Sequence, residues 1–492
     1  MNAPMHVHPG RWLPAATAAI VSLFLGACAI PGGGSAGAGI VLDGDVGEWS
    51  GDAAAWADAE YLYFRFKVDP IAMGGPPEAI QASPRTVILA VDADASGATG
   101  FVRDLDGLRG FGADLEVHFS PREKGRGAAV FALSPDGSRR SIATVESRLT
   151  VAPTYASEWY EGRITRSVLA DLPGLDAASR RNAVTALMLN ADGKPDAWAD
   201  PYAFEVPAPA EVARVEALVP ARAREAVRVV SWNVERSSPL TNPQPFARVL
   251  SLLEADVVLV QEWDEGSAVD LAGWFTAYLP AGPVWSAHKL PSGVGVVSRF
   301  PLTPVELPEI RVDGGGRADG SRDHVSRVAA AVVDTPSGPV AFASVHLKCC
   351  GSASGREEST RQAEARLINA RLGEAWGGTG VRVISGDLNL VGTRRPLDLL
   401  RAGLDADGSD LDVVQPGVLG CRTMTTWRKW DSEFSPSRLD FVLHSGARSS
   451  VVRSFVLDTT ILSDASLARL GVSRVDSDAS DHDPVVVDLI VR

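Results

Sequence analysis

Val381-Arg-Val-Ile-Ser-Gly-Asp387-Leu-Asn389 decides how the second half of the chain folds. A short apolar run that ends on a carboxylate and an amide reads as a buried strand opening on a cleft. On extended backbone, residues two apart share a side, so Asp387 and Asn389 are expected to face the same way. The same form recurs on either side of this stretch. Val229-Val-Ser-Trp-Asn233 ends on an amide, Val257-Val-Leu-Val-Gln-Glu262 on a carboxylate and Ala343-Ser-Val-His346 on an imidazole, and Arg438-Leu-Asp440 and Ser480-Asp481-His482-Asp483 complete the series. Apolar strands are expected at 227–230, 255–260, 293–297, 329–333, 340–346, 381–384, 439–443 and 485–491, interleaved with helical stretches. Pro336-Ser-Gly338 should join two of them as a hairpin. Across 360–374, Ala363, Leu367, Ala370 and Leu372 fall near one helical face. Mixed αβ layers follow from this alternation.

In this order, and with the strand Gly295-Val-Val-Ser-Arg299, these motifs resemble the endonuclease/exonuclease/phosphatase superfamily, which contains pancreatic-type deoxyribonuclease, abasic-site endonucleases, sphingomyelinases and inositol-polyphosphate phosphatases. The match runs from Val227 to Arg492. It implies an α/β (α+β) four-layer sandwich, two packed β-sheets with outer helices. It also implies a metal-dependent phosphoric ester hydrolase. Glu262, helped by Asn233 and Asp481, resembles the family's Mg²⁺ or Mn²⁺ site, and such cations take hard oxygen ligands. Asp387 matches the residue that orients or deprotonates the attacking water, and Asn389 one that bonds a phosphoryl oxygen or the nucleophile. His482 paired with Asp440 matches a catalytic histidine whose carboxylate neighbour favours its charged form. His346 would contact the phosphate from the other side, with Arg327 and Lys348 facing substrate. Taken singly, each residue has an ordinary reading as well: Asn233 as a turn cap, Asp440 as a partner of Arg438.

Residues 40–205 have a different pattern. Short alternating runs such as Tyr61-Leu-Tyr-Phe-Arg-Phe-Lys-Val68, Thr86-Val-Ile-Leu-Ala-Val91 and Asp114-Leu-Glu-Val-His-Phe119 are separated by Gly, Asp, Pro and Ser, so a separate all-β antiparallel sandwich is expected. Leu42-Asp-Gly-Asp-Val-Gly-Glu-Trp49 followed by Tyr61-Leu-Tyr-Phe64 resembles the opening of sandwiches related to family 9 carbohydrate-binding modules. On that resemblance Trp49, Trp56, Trp159 and Trp198 are either sugar contacts or core. Asp92-Ala-Asp94-Ala-Ser96 and Asp405-Ala-Asp407-Gly408-Ser-Asp410 lack the full calcium-loop pattern and read as solvated turns. A Pro/Ala/charged linker is expected over 206–226, ahead of the second domain at 227–492.

Residues 1–27 read as an export signal, with Arg11 ahead of an apolar run and then Leu25-Gly26-Ala27-Cys28. That tetrapeptide resembles the lipobox of bacterial lipoproteins, implying lipidation at Cys28 and an extracytoplasmic, membrane-anchored protein of the cell envelope; the other reading is an ordinary secretory signal. The Gly-rich stretch over 28–39 would be the tether. In an oxidising compartment, Cys421 is then expected to bridge to Cys349 or Cys350. The chain has 492 residues, room for two or three domains, and 45% hydrophobic with 22% charged residues excludes a disordered or polytopic membrane chain. Net charge is −14 and both halves, divided after Glu225, are acidic, so no broad basic face grips a phosphate backbone. The local candidate for a nucleic-acid contact is Arg422-Thr-Met-Thr-Thr-Trp427-Arg428-Lys429-Trp430. The expected function is exported phosphodiester hydrolysis, with a nuclease first. Phospholipid or sphingomyelin phosphodiesterase and sugar-phosphate phosphatase are the enzymatic alternatives, and a glycan-binding surface lipoprotein with an inert second domain is the non-enzymatic one.

Overall fold

Period-two alternation in the first region folds into antiparallel sheets, since each strand can bury only one of its faces. The computed structural model describes residues 39–68, 78–170, 172, 175, 179–208, 214–279, 284–313 and 323–492; the export signal, Cys28 and the tether up to residue 38 lie outside the described residues. A four-stranded sheet runs in the order Ala55–Ala57, Tyr61–Lys67, Trp159–Thr165, Thr150–Ala152. A seven-stranded sheet is ordered Pro195–Trp198, Arg181–Leu189, Val87–Asp92, Leu115–Phe119, Ala128–Leu133, Arg139–Ile142, with Tyr202–Glu205 also paired to Arg181–Leu189. Phe64, Phe66, Leu89, Val117, Phe119 and Ile164 pack between the two. Trp49 is buried in a separate cluster with Ile40, Leu42, Tyr61 and Tyr63, its indole N–H donating to the Glu161 carboxylate at 3.0 Å.

The two Asp-rich turns are solvated over most of their length, with Asp407, Gly408 and Asp410 exposed, but the first aspartate of each is buried. Asp92 is 1% exposed and accepts from the Ser96 and Gly112 amides, each at 3.0 Å, while Asp405 is 4% exposed and accepts from Ala447 N at 3.0 Å. Each carboxylate stands in for a backbone partner, and the chain folds over it.

The second region is built on two more sheets. One, of seven strands, is ordered Ser286–Lys289, Gly295–Ser298, Val257–Gln261, Val227–Asn233, Val485–Val491, Ser449–Val456, Gly417–Val418; the other, of six, runs Leu302–Val305, Arg327–Thr335, Gly338–His346, Val381–Asp387, Asp440–His444, Asp412–Val413. Their apolar inner faces meet in one cluster that includes Val229, Leu259 and Val485 from the first sheet and Phe342, Val383 and Val442 from the second. That double burial explains why these strands read as continuous apolar runs rather than alternating ones. Helices Pro243–Leu253 and Ala268–Tyr278 supply Phe246, Leu250 and Phe275 to a second cluster with Val230 and Val258. Helix Arg356–Trp376 supplies Ala365, Ile368, Leu372 and Trp376 to a third, with Ala343 and Ile384.

That last helix corrects the expected face. Leu367 and Ala370 point outward, while the buried side carries Arg361, Glu364, Ala365, Ile368 and Leu372. Apolar spacing misleads here because the inward charges are paired: Arg361 with Glu358 at 2.8 Å, Glu364 with His324 at 2.9 Å. Ile368→Ala is therefore expected to destabilise by roughly 3 kcal/mol, and Leu367→Ala by no more than about 0.5 kcal/mol, in urea unfolding. Equal losses would place the helix face wrongly.

Candidate active site

Strand register builds the site. In the six-stranded sheet His346 pairs with Asp387 and Asp387 with Asp440, so the last or first residues of three adjacent strands form one row at the sheet edge. In the other sheet Asn233 pairs with Gln261, placing Glu262 one residue beyond the strand end, at φ +58°. Packing the two sheets face to face brings both edges together. The Asn233 amide then donates to Glu262 Oε1 at 3.2 Å and to Asp387 Oδ2 at 3.1 Å.

Two imidazoles flank Asp387. His346 Nε2 stands 3.5 Å and His482 Nε2 3.7 Å from its Oδ2, and His482 Nδ1 donates to Asp440 Oδ2 at 2.7 Å. Burial works against a charge on His482, but Asp440, and behind it Asp387 and Asp481, outweigh that and push its pKa up to about 10. It is therefore an imidazolium at neutral pH. Burial pushes Asp387 up to about 7, opposed chiefly by the His482 charge. His346 is held well below the ordinary histidine range, by burial first and then by the Arg327 guanidinium and His482, so it is neutral. One charged and one neutral imidazole on either side of a carboxylate can donate, accept and hold a proton in different places.

Some expected residues sit differently. The strand ends at Asp387, and Asn389 has φ +48°, so the extended geometry assumed for the pair does not hold. Its backbone N–H donates to Asp387 Oδ1 at 3.0 Å and its side-chain amide to the Leu347 carbonyl at 3.3 Å. Asp481 stands at the rim: its Oδ2 accepts from Trp427 Nε1 at 3.2 Å, and its Oδ1 is 3.9 Å from His482 Nε2. Arg327 straps the chain after His346, donating to the His346 and Leu347 carbonyls at 3.0 and 2.9 Å. Lys348 gives its backbone N–H to Glu364 Oε2 at 2.7 Å, and its ammonium reaches the Cys349 carbonyl at 3.3 Å.

Cys421 does not bridge to the other cysteines. Its sulfur accepts from Arg163 Nη1 at 2.9 Å, against the first region, whereas Cys349 and Cys350 follow His346 with their sulfurs 2.8 Å apart, and all three are unbridged thiols. The basic and aromatic stretch is also engaged internally. Arg428 is paired to Asp483 at 2.7 Å and Asp458 at 3.3 Å, and Arg422 lies 5.2 Å over the Trp56 ring.

Two supporting residues went unassigned from sequence. Trp232 Nε1 donates to the His482 carbonyl at 2.8 Å, and Thr426 Oγ1 accepts from the Leu439 and Asp440 amides at 3.0 Å each. Trp232 immediately precedes Asn233, a signal that was present in the motif; Thr426 carries no local signal.

The family model for the Endonuclease/Exonuclease/phosphatase family matches residues 230–482, which contain every strand end just described. The chain belongs to this family. Among solved structures, the chain is similar to a beta toxin from Staphylococcus aureus at 15% identity, covering 53% of this chain and 99% of that one, TM-score 0.35. Sphingomyelinase C from Streptomyces griseocarneus is 18% identical, covering 54% of this chain and 99% of its own, TM-score 0.34. The human Nocturnin catalytic domain with bound sulfate is 15% identical, covering 55% and 97%, TM-score 0.34. No curated protein matches the chain.

Membership of the endonuclease/exonuclease/phosphatase family implies a divalent cation, and the donor set fits one. One ligand atom each from Glu262, His346 and Asp387 lie within 4.8 Å of one another. Two carboxylates share a single amide donor, Asn233 Nδ2, and the Nδ1 of His346 is buried without a hydrogen-bond partner. Carboxylate oxygens converging with an imidazole nitrogen on one small volume are a donor set that a divalent cation can use.

Proposed function

We propose that the protein is an exported, lipid-anchored phosphodiesterase of the bacterial envelope that hydrolyses its substrate with Mg²⁺ or Mn²⁺. The observation that carries the reading is the buried Asp387 carboxylate set between the Asn233 amide and the imidazoles of His346 and His482. Glu262 and Asn233, with Asp387 beside them, would hold the cation, which when bound neutralises charge developing on the phosphoryl oxygens. Asp387 takes the proton of a water as the water oxygen bonds to phosphorus and the opposite ester P–O bond breaks, the released alkoxide taking its proton from solvent. Asn389 keeps Asp387 in place through its backbone N–H. His482, charged and fixed by Asp440, offers its Nε2–H to a phosphoryl oxygen as negative charge accumulates there. Neutral His346 holds the phosphate on the opposite side of Asp387.

Nucleic acid is the first substrate class to test, and lipid head groups beside the anchor the second. The non-enzymatic glycan-binding alternative is disfavoured by the completeness of the hydrolytic set. A panel assay of mature protein with Mg²⁺ on DNA, RNA, sphingomyelin, phosphatidylcholine, inositol phosphates and bis-p-nitrophenyl phosphate decides among them. Hydrolysis of none would overturn the phosphodiesterase reading. For the anchor, Leu25-Gly-Ala-Cys28 supports lipidation; Cys28→Ser is expected to move the protein from the detergent phase to the aqueous phase. A wild-type chain that already partitions into water without a lipid mass would refute it.

The charge state of His482 sets the alkaline limb of activity. With a pKa of about 10 it stays protonated through neutral pH, and turnover is lost as pH rises through about 10. Asp440→Asn removes the partner that opposes burial, so the limb is expected to move down by about 1–3 pH units in a kcat profile. An unmoved limb would show that the dyad does not govern it.

A further inference from the structure

The first region contacts three loops of the second. The Glu78 carboxylate accepts from the Ala353 and Ser354 amides at 2.6 and 2.8 Å, in the loop that follows His346 and leads into helix Arg356–Trp376. Ala156 N donates to the Gly392 carbonyl at 2.8 Å, three residues after Asn389. Leu42 lies alongside 422–424, its N–H donating to Arg422 O at 2.9 Å and its carbonyl accepting from Met424 N at 3.2 Å.

A further buried contact is made by Gln81, in the short helix Ile80–Ala82. Its amide pairs in both directions with buried Ser435: Nε2 donates to Ser435 Oγ at 2.9 Å, and Ser435 N donates to Gln81 Oε1 at 2.9 Å. Beside it, Ala128 N donates to Glu433 O at 2.8 Å. The approach is so close that a Cβ on Gly127, at φ +79°, would lie 2.3 Å from that carbonyl, so glycine is required there.

Segment 426–437, closed by pairing of Trp427 with Ser437, joins this contact to the chemistry. At its base Thr426 Oγ1 accepts from Asp440 N at 3.0 Å and Thr426 O from Asp483 N at 2.7 Å, so one residue supports Asp440 itself and the residue that follows His482. Trp427 also forms a bridge to His482. A lateral shift of the segment would therefore move the imidazolium relative to Asp387.

We propose that the N-terminal sandwich is a fixed part of the catalytic unit rather than a module appended to it, and that Gln81 is a positioning residue that acts through Ser435 and Thr426 on Asp440 and His482. The kinetic consequence rests on the phosphodiesterase reading; the mechanical one does not. Gln81→Leu in the full chain leaves the buried Ser435 N–H and hydroxyl without partners, which loosens the segment. The expected result is a kcat at least tenfold lower with KM within threefold, and faster backbone deuterium uptake over 423–440 without change over 181–189. Leu187→Ala, in the outer cluster of the sandwich away from these loops, lowers the melting temperature but leaves kcat within twofold. Unchanged uptake over 423–440 in Gln81→Leu would overturn the proposal, as would a kcat within twofold of the parent. A parent chain inactive on every phosphodiester would overturn the phosphodiesterase reading alone, because deuterium uptake still decides whether Gln81 holds the segment.

Discussion

Asp387→Ala is expected to lower kcat by about 10²–10⁴, roughly 3–5 kcal/mol of transition-state stabilisation, with a much smaller change in KM. The asymmetry follows from what the carboxylate does: it takes a proton that leaves water only as the bond to phosphorus forms, so the bound ground state hardly uses it. Folding should survive. The side chain is buried, yet its contacts are polar ones at the strand end, and the apolar packing of this strand lies at Val383 and Ile384, further from the cleft. Loss of the carboxylate also removes one charge facing His482, so the imidazolium keeps Asp440 at 2.7 Å and Asp481 at 3.9 Å. Steady-state kinetics on the substrate found by the panel, with circular dichroism as the folding control, test this. A folded variant within threefold of the parent kcat would remove Asp387 from the mechanism.

Chelation is expected to abolish turnover, and Mg²⁺ or Mn²⁺ to restore it. Glu262 and Asp387 present oxygens to one small volume and share the Asn233 amide, an arrangement whose mutual repulsion a divalent cation relieves. Glu262→Ala deletes one of those oxygens while leaving Asp387, His346 and the His482–Asp440 pair, so it should raise the cation concentration needed for half-maximal activity by about 10–100-fold and depress the saturated rate less. Metal titration followed by isothermal calorimetry, independent of activity, reads the same loss. Full turnover in excess chelator would sink this account of the site.

The local pattern was enough to mark the strand ends. Polar side chains at the ends of apolar runs depend only on backbone geometry within one segment, and periodicity records that geometry directly. This is how Asn233, Glu262, His346, Asp387, Asp440 and His482 stood out, and how the antiparallel character of the first region was legible in runs such as Tyr61–Lys67. Hairpin Pro336-Ser-Gly338 was legible for the same reason, a turn being set by its own residues. Contacts between segments were not. That Asn233 would meet Asp387, 154 residues away, depends on how two sheets stack, and that His346, Asp387 and Asp440 form a row depends on register. The buried face of helix Arg356–Trp376 was only partly legible because its inward charges are paired, Arg361 with Glu358 of the same helix and Glu364 with His324, and the Cys421 pairing was missed because that thiol lies against Arg163 of the first region. Asn389 turned away because a left-handed residue ends the strand, which side-chain spacing does not report. Composition and order along the chain thus determined which chemical groups were present and at which strand ends. Only tertiary packing decided which of them touch, because that depends on long-range register and on the burial of charges whose partners come from distant parts of the chain.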